Sequence, residues 1–347
     1  MNPDHMPVCK VAAMHVAPVF LDKNATTQKA LALIEEAARN GAQLIAFPES
    51  FIPAFPVWAG LWAPIHNHDL FARMVAHSLE TPGPEIALIA AAARRYQVFI
   101  SIGISEKNPV SSGGIWNSNL LISDEGRLLS HHRKLMPTFY EKLVWAPGDG
   151  AGLQVAATRL GRIGMLICGE NTNPLARYAL LAQGEQIHIA TWPSVWPTKT
   201  PGENGNYDNL AANRIRLAAH AFEGKLFGIS CAGFMDKAMR DFLVQRDPAV
   251  AAILDHTPQA ASMFVDPTGA QIGDCLQKEE GIAYCTMDLQ QCVEPKQLHD
   301  VVGYYNRFDI FDVRVDRSRK KPITWLEDNP PVWPDLGAGD ATSGSNS

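Results

Sequence analysis

Three polar residues, Glu49, Lys134 and Cys168, each stand at the end of an apolar run that is typical of a buried strand. Loops that follow strands commonly converge at one edge of a sheet in α/β proteins. The carboxylate, the ammonium and the thiol are therefore candidates to meet in space, although they are far apart along the chain.

Together these three groups suit nucleophilic catalysis. A cysteine attacks as the thiolate, a nearby ammonium lowers the thiol pKa, and a carboxylate can accept the proton. The lysine and the backbone N–H of Gly169 could stabilise the anion that forms when the thiol attacks an unsaturated carbon, and a glycine lets the backbone approach a ligand closely. Each residue also has a plain structural interpretation, as a capping glutamate, a surface lysine or a small core cysteine. No spacing rule links the three, so both interpretations stand at this point.

Other residues give weaker indications. Trp192 and Trp196 follow a predicted strand and could form an aromatic wall, as could Phe55, although buried aromatic residues are as often plain core. The run His66-Asn67-His68-Asp69 has ligand-type residues, but further ligands are missing nearby, so a loop and no metal site are predicted. A phosphate-binding glycine-rich loop is also missing.

The elements that must position the three residues alternate between strand and helix. Apolar runs predict strands at residues 8–15, 43–47, 98–105, 115–123, 128–135, 153–159, 163–168, 187–192, 226–232, 263–265 and 282–288. Apolar residues at helical spacing predict helices at residues 24–40, 85–96, 174–183 and 209–223. This mixture of βαβ units and hairpins indicates an α/β fold with two mixed sheets stacked on each other and covered by helices.

Composition excludes several classes of protein. The 347 residues are 46% hydrophobic with a net charge of −6, which argues against a disordered chain and against nucleic-acid binding. An uninterrupted apolar run of roughly 18 residues, which a membrane span requires, is missing, and the N-terminus does not resemble a secretory signal. The six cysteines are scattered and predict free thiols, so a cytoplasmic location is expected. We predict one domain over residues 6–312 and a C-terminal extension over 313–347, first a subunit-contact segment and then a disordered tail.

The residues around the three candidates resemble the nitrilase branch of the carbon–nitrogen hydrolase superfamily. The matching segments are Phe47-Pro48-Glu49, His132 to Thr138 and Cys168-Gly169-Glu170-Asn171, in the order of the family. Tyr140 to Trp145 resembles the stretch that carries an additional glutamate, here Glu141, and similarity continues from Leu175 to Gln186. The resemblance covers most of the chain, roughly residues 8 to 310.

This resemblance implies a four-layer α-β-β-α sandwich with a Glu-Lys-Cys triad, without metal or cofactor, that forms a homodimer or a larger spiral homo-oligomer. The implied substrate is a small nitrile, and the aromatic loops favour arylaliphatic or aromatic nitriles. An amidase, a cyanide-degrading enzyme and a non-enzymatic scaffold are the alternatives, although a scaffold would be expected to have lost one of the three residues. Two positions depart from the family: Gly169 stands where tryptophan is commoner, and Ala54-Phe55-Pro56 replaces Gly-Tyr-Pro.

Overall fold

The computed structural model describes residues 6–196, 198–203, 208–319 and 321–323. Within these ranges the chain forms twelve strands. The strands are β1 (Val8–His15), β2 (Leu44–Ala46), β3 (Phe99–Lys107), β4 (Ile115–Ile122), β5 (Leu128–Arg133), β6 (Ala156–Thr158), β7 (Gly161–Ile167), β8 (Ile187–Trp192), β9 (Phe227–Ala232), β10 (Ser262–Val265), β11 (Gln271–Leu276) and β12 (Gly281–Asp288). The α-helices are α1 (Lys23–Arg39), α2 (His68–His77), α3 (Pro84–Tyr96), α4 (Pro174–Leu181), α5 (Asn209–Gly224), α6 (Lys237–Arg246), α7 (Ala251–His256) and α8 (Val293–Leu298).

The strands form two six-stranded mixed sheets. The first has the order β12-β1-β2-β3-β4-β5 and the second β11-β10-β9-β8-β7-β6. In each sheet three central strands run parallel, β1-β2-β3 and β7-β8-β9, and antiparallel strands flank them. The parallel strands are joined through helices, which is why the sequence alternates between strand and helix before the hairpins begin.

The two sheets pack face to face, and helices cover their outer faces. The shared core between them contains apolar residues from both sheets, among them Val11, Leu44, Phe99, Met165, Ile189 and Phe227. Residues of α1 and α3 pack on the outer face of the first sheet, and residues of α4 and α5 pack on the second. The predicted α-β-β-α sandwich of two mixed sheets is confirmed, and strands buried on both faces explain the nearly continuous apolar runs.

Some elements differ from the sequence prediction. β11 was not predicted because most of its residues are exposed and polar, as suits an edge strand. Helix α2 was also not predicted, and it begins inside the segment predicted as a loop, at His68. The acidic residue of that segment, Asp69, forms an ion pair with Arg246 of α6.

The edge of the first sheet that leads to Lys134 is held by a buried carboxylate, Glu106 on β3. Its Oε2 accepts hydrogen bonds from His131 Nε2 at 2.7 Å and Arg133 Nε at 3.0 Å, both on β5. Burial alone would raise the pKa of Glu106, but His131 and Arg133 outweigh burial and lower it to about 2. The Arg133 guanidinium also lies 3.6 Å from the centre of the Trp116 ring. These contacts fix the strand that precedes Lys134.

The chain beyond α8 crosses back over the sandwich. Arg319 donates a hydrogen bond to the carbonyl of His131 at 3.1 Å and pairs with Asp149 at 3.2 Å, so this part of the chain is anchored to the end of β5. The predicted disordered tail lies outside the described residues. Among the residues described, no helix combines the length and apolar character that crossing a bilayer requires.

Candidate active site

The three strand ends meet at one place between the sheets. Glu49 follows β2, Lys134 follows β5, and Cys168 follows β7 of the other sheet. A carboxylate oxygen of Glu49, one of Glu141 and the Sγ of Cys168 all lie within 4.8 Å of one another. The four side chains are buried, and Cys168 is the most exposed of them at 7%.

Lys134 is held between two carboxylates. Its Nζ donates to Glu49 Oε1 at 2.7 Å and to Glu141 Oε2 at 2.6 Å. Asn117 Nδ2 donates to the same Glu49 oxygen at 2.7 Å. The second oxygens, Glu49 Oε2 and Glu141 Oε1, have no hydrogen-bond partner within the described part of the chain. Each carboxylate therefore fixes the ammonium with one oxygen and leaves the other available.

Burial and the close charges shift the ionisation of these groups. Burial raises the pKa of Glu49 to about 7, although Lys134 opposes the rise. Burial also raises the pKa of Cys168 well above its usual value, and Glu49 adds to this shift. For Lys134 burial favours the neutral amine, but Glu141 and Glu49 outweigh it and raise its pKa well above the usual value. The resting site thus combines a protonated thiol, a fixed cation and a carboxyl group that titrates near neutrality.

Cys168 has a backbone conformation that only a constrained environment maintains. Its φ is +51°, in the left-handed region, which costs a residue with a side chain roughly 1–3 kcal/mol. It begins a 3₁₀ turn over Cys168–Thr172. The turn is held by Glu170, whose Oε2 accepts from Ile167 N and from His132 Nε2, each at 2.8 Å. Glu170 also accepts from Leu135 N, so one buried carboxylate joins the strand ends that carry Lys134 and Cys168.

A small pocket borders the thiol. Its lining includes Cys168, Gly169, Trp192, Trp196, Thr138 and Arg216. The predicted glycine and both predicted tryptophans therefore face the nucleophile. Phe55, the remaining predicted binding residue, does not: it lies in a smaller cavity beside Glu49 and contacts the Trp145 ring edge-on at 5.6 Å.

The position of Gly169 has a simple steric reason. A Cβ at this residue would lie 2.8 Å from Thr138 Oγ1, closer than van der Waals contact allows. The space that a side chain at 169 would need is occupied by Thr138, whose backbone N–H donates to Glu141 Oε2 at 3.0 Å. Thr138 therefore fills the space that a larger side chain at residue 169 would need, and it also positions Glu141.

Sequence reasoning missed several residues of the site. Asn117 and Arg216 were not singled out, and Thr138 and Glu170 were quoted only as parts of motifs. Asn117 left little signal, since Ser118 and Asn119 follow it in the same strand. Thr138 and Arg216 come from a loop and a helix surface where polar residues are ordinary, so their types carried no signal.

Within the part of the chain that the structure describes, two clusters contain side chains of types that ligate metals. In the first, Glu49, Glu141 and Cys168, the ammonium of Lys134 already neutralises the carboxylates. The second is Glu185 with His188 and His220, three buried residues that sequence reasoning did not single out. Both oxygens of Glu185 are hydrogen-bonded to the two histidine rings, so the carboxylate of this second cluster is already satisfied.

Comparison with known proteins agrees with this fold. Residues 10–297 match the carbon–nitrogen hydrolase family. An arylacetonitrilase of Hypocrea virens is 33% identical over 320 residues, covering 91% of this chain and 94% of the relative. An aliphatic nitrilase of Rhodococcus rhodochrous is 31% identical over 322 residues, covering 91% and 82%. The crystal structure of a carbon-nitrogen hydrolase from Helicobacter pylori has a TM-score of 0.67 at 18% identity, covering 87% of this chain and 97% of that chain, which supports the fold.

The sandwich and its site define an enzyme that hydrolyses carbon–nitrogen bonds. The chain belongs to the carbon–nitrogen hydrolase family, and its curated relatives assign it to the nitrilase branch.

Proposed function

We propose that this enzyme hydrolyses an organic nitrile to the carboxylic acid and ammonia through covalent intermediates on Cys168. The observation that carries the proposal is the convergence of the Cys168 thiol and two carboxylates, within 4.8 Å, around one buried ammonium. A thiol beside a base and a fixed cation suits attack on an electrophilic carbon that bears nitrogen. The names of the two relatives, a nitrilase and an arylacetonitrilase, support the same reaction.

In the first step Glu49 accepts the thiol proton while Sγ attacks the nitrile carbon. Its Oε2 suits this role because its other oxygen already holds Lys134. Negative charge develops on the nitrile nitrogen, where the Lys134 ammonium and the Gly169 N–H stabilise it. Transfer of the proton from Glu49 to that nitrogen gives a neutral thioimidate.

In the second step a water molecule, activated by Glu49, adds to the thioimidate carbon. The nitrogen of the tetrahedral species takes the proton that Glu49 holds and the proton of the newly added hydroxyl, and it leaves as ammonia while the carbonyl of a thioester forms. A second water, again activated by Glu49, releases the acid and returns the proton to Cys168. Glu141 positions Lys134 and the substrate in this scheme, since its Oε2 binds the ammonium at 2.6 Å.

The test is an assay of ammonia and acid from a panel of nitriles, the matching amides and cyanide. We expect turnover of nitriles by the wild-type enzyme, none by Cys168→Ala, and unchanged turnover by Cys275→Ala, which removes an exposed thiol. Hydrolysis of amides with nitriles untouched would contradict the assignment. Ammonia release by Cys168→Ala would contradict the mechanism.

For the substrate class we propose arylaliphatic or aromatic nitriles. Trp192 and Trp196 line the pocket of Cys168, and the Trp196 ring lies 4.3 Å from that of Tyr140. Stacking on such rings is worth about 0.5–1.5 kcal/mol, so Trp196→Ala is expected to raise KM roughly 2- to 10-fold for phenylacetonitrile. KM for butyronitrile serves as the comparison, and an equal rise for both nitriles would argue against aromatic selectivity.

For the assembly we propose a homodimer or larger homo-oligomer in the cytoplasm. The stretch beyond α8 presents large apolar side chains to solvent in the single chain, with Tyr305 72%, Phe308 67% and Phe311 68% exposed. Six free cysteines suit a reducing compartment. Light scattering of the wild type and of Phe308→Ser/Phe311→Ser is the test, and a monomeric wild type would contradict the proposal.

A further inference from the structure

A second group of buried ionisable side chains lies behind the nucleophile, on the helix-facing side of the second sheet. His188 is on β8, Glu185 precedes that strand, and His220 is on α5; all three are at most 2% exposed. His188 Nδ1 donates to Glu185 Oε1 and His220 Nε2 donates to Glu185 Oε2, each at 2.7 Å. None of the three lines the pocket of Cys168, and the proposed reaction does not use them.

This group is connected to the nucleophile through Asn171. His188 Nε2 lies 2.8 Å from Asn171 Oδ1, and Asn171 Nδ2 donates to the carbonyls of Cys168 at 3.0 Å and Leu166 at 3.3 Å. Two carbonyl acceptors require the amide nitrogen on their side, which directs the amide oxygen toward His188. A continuous hydrogen-bonded path therefore runs from the Cys168 backbone to α5.

Burial and close neighbours set the ionisation of the groups along this path. Both nitrogens of His188 lie within hydrogen-bond distance of an oxygen, Nδ1 of Glu185 Oε1 and Nε2 of Asn171 Oδ1. Burial alone would raise the pKa of Glu185, but His188 and His220 outweigh burial and lower it to about 2. Burial, reinforced by His188, lowers the pKa of His220 to about 4, so that ring is neutral at pH 7. Glu185 is therefore ionised at pH 7 and is hydrogen-bonded to both rings.

Glycine residues flank His188 on both neighbouring strands. His188 is flanked in register by Gly164 of β7 and Gly228 of β9. A Cβ at Gly164 would lie 2.0 Å from Glu185 Oε1, and one at Gly228 would lie 2.7 Å from Leu217 Cδ1. Glycine inside a strand weakens it and marks a close approach. Here the close approach at Gly164 is that of the Glu185 carboxylate.

The consequence for catalysis follows from peptide geometry. The carbonyl of Cys168 and the N–H of Gly169 belong to one planar trans peptide unit, so they point in opposite directions. We propose that His188, oriented by Glu185, is a positioning residue: through Asn171 it fixes the Cys168–Gly169 peptide so that its N–H points at the substrate nitrogen. This inference rests on the proposed reaction, in which that N–H stabilises the developing negative charge.

The test compares isosteric and truncating variants at the two ends of the path. Asn171→Asp keeps the shape but replaces the donor to the Cys168 carbonyl with an oxygen, and Glu185→Ala removes the acceptor for His188. Both are expected to lower kcat about 10²- to 10³-fold, the effect of losing one such donor, with little change in KM. Glu185→Gln is the conservative rescue: its amide nitrogen can donate to a neutral His188 while its oxygen accepts from His220. We expect Glu185→Gln to keep kcat within about fivefold of the wild-type value, a much smaller loss than the roughly 10²- to 10³-fold expected when one donor is removed.

Ile34→Ala serves as the control for general destabilisation, because it removes packing between α1 and the first sheet, away from the network. It is expected to lower Tm and leave kcat unchanged. The proposal is overturned if Asn171→Asp and Glu185→Ala lower Tm but keep kcat, or if Glu185→Gln is as slow as Glu185→Ala. If Glu185→Ala does not fold, the kcat of Asn171→Asp alone tests the proposal. Full turnover by Cys168→Ser in the same assay would instead reject the proposed reaction itself.

Discussion

The contact between Gly169 and Thr138 allows a quantitative test of how tightly the nucleophile is packed. Gly169→Ala adds one methyl group that would lie 2.8 Å from Thr138 Oγ1, whereas ordinary contact begins near 3.4 Å. The two residues must separate by several tenths of an ångström, and Thr138 is tied to Glu141 through its backbone N–H. Overpacking by a methyl group costs about 1–3 kcal/mol. We therefore expect a loss of roughly 5- to 150-fold in kcat/KM.

The assay is steady-state ammonia release in a two-residue mutant cycle. Thr138→Ala removes the hydroxyl and the methyl group, so Gly169→Ala/Thr138→Ala should recover most of the activity that Gly169→Ala loses. Thr138→Val replaces the hydroxyl with a methyl group of similar size, and the same combination with valine should stay impaired. Additive effects in both cycles would mean that the two positions are independent and would refute the reasoning.

Three further predictions concern charge. Glu49 must be ionised to accept the thiol proton, and burial raises its pKa to about 7. The value of kcat/KM should therefore fall as the pH drops through about 7. A flat pH profile of kcat/KM from pH 5 to 9 would exclude this role for Glu49. Lys134→Met should lower kcat by at least about 10²-fold, measured as ammonia release, while Lys142→Met, an exposed lysine nearby, should not. The partners of Glu106 on β5 outweigh burial and lower its pKa to about 2. The charge of Glu106 therefore stabilises the fold above about pH 4.5, and this contribution is lost as the pH falls toward 2. Glu106→Gln should lower the free energy of unfolding by about 3 kcal/mol at pH 7 in urea titrations, and an unchanged midpoint at pH 7 would contradict this ion-pair account.

Much of the fold was predictable because the strands are buried on both faces. The predicted bounds of β1 and β8 agree with the structure, since an apolar run and its flanking breakers define a buried strand unambiguously. The exposed strand β11 gave no such run. Helix α2 was missed because the segment that contains its start, His66 to Asp69, looked like a polar loop.

The catalytic residues were predictable for a different reason. Glu49 and Cys168 follow strongly apolar runs, so their polarity stands out, whereas Lys134 follows other polar residues and was identified through the family motif around it. His188 interrupts the apolar strand β8 in a similar way, yet a lone buried histidine has many structural explanations. Only the distances to Asn171 give it a connection to the nucleophile. The position of Phe55 could not be predicted, because adjacency to Glu49 in sequence does not determine which of two cavities a side chain enters.

Glu49 and Lys134 come from the first sheet, whereas Cys168 comes from the second. Neither half of the sandwich contains a complete catalytic centre, so turnover requires the two sheets to be docked in their native alignment. A slip of one sheet by a single residue, about 3.3 Å, would separate the thiol from its base while leaving both sheets intact. Enzyme activity is therefore a sensitive reporter of inter-sheet docking during refolding, and it should return later than the secondary structure does.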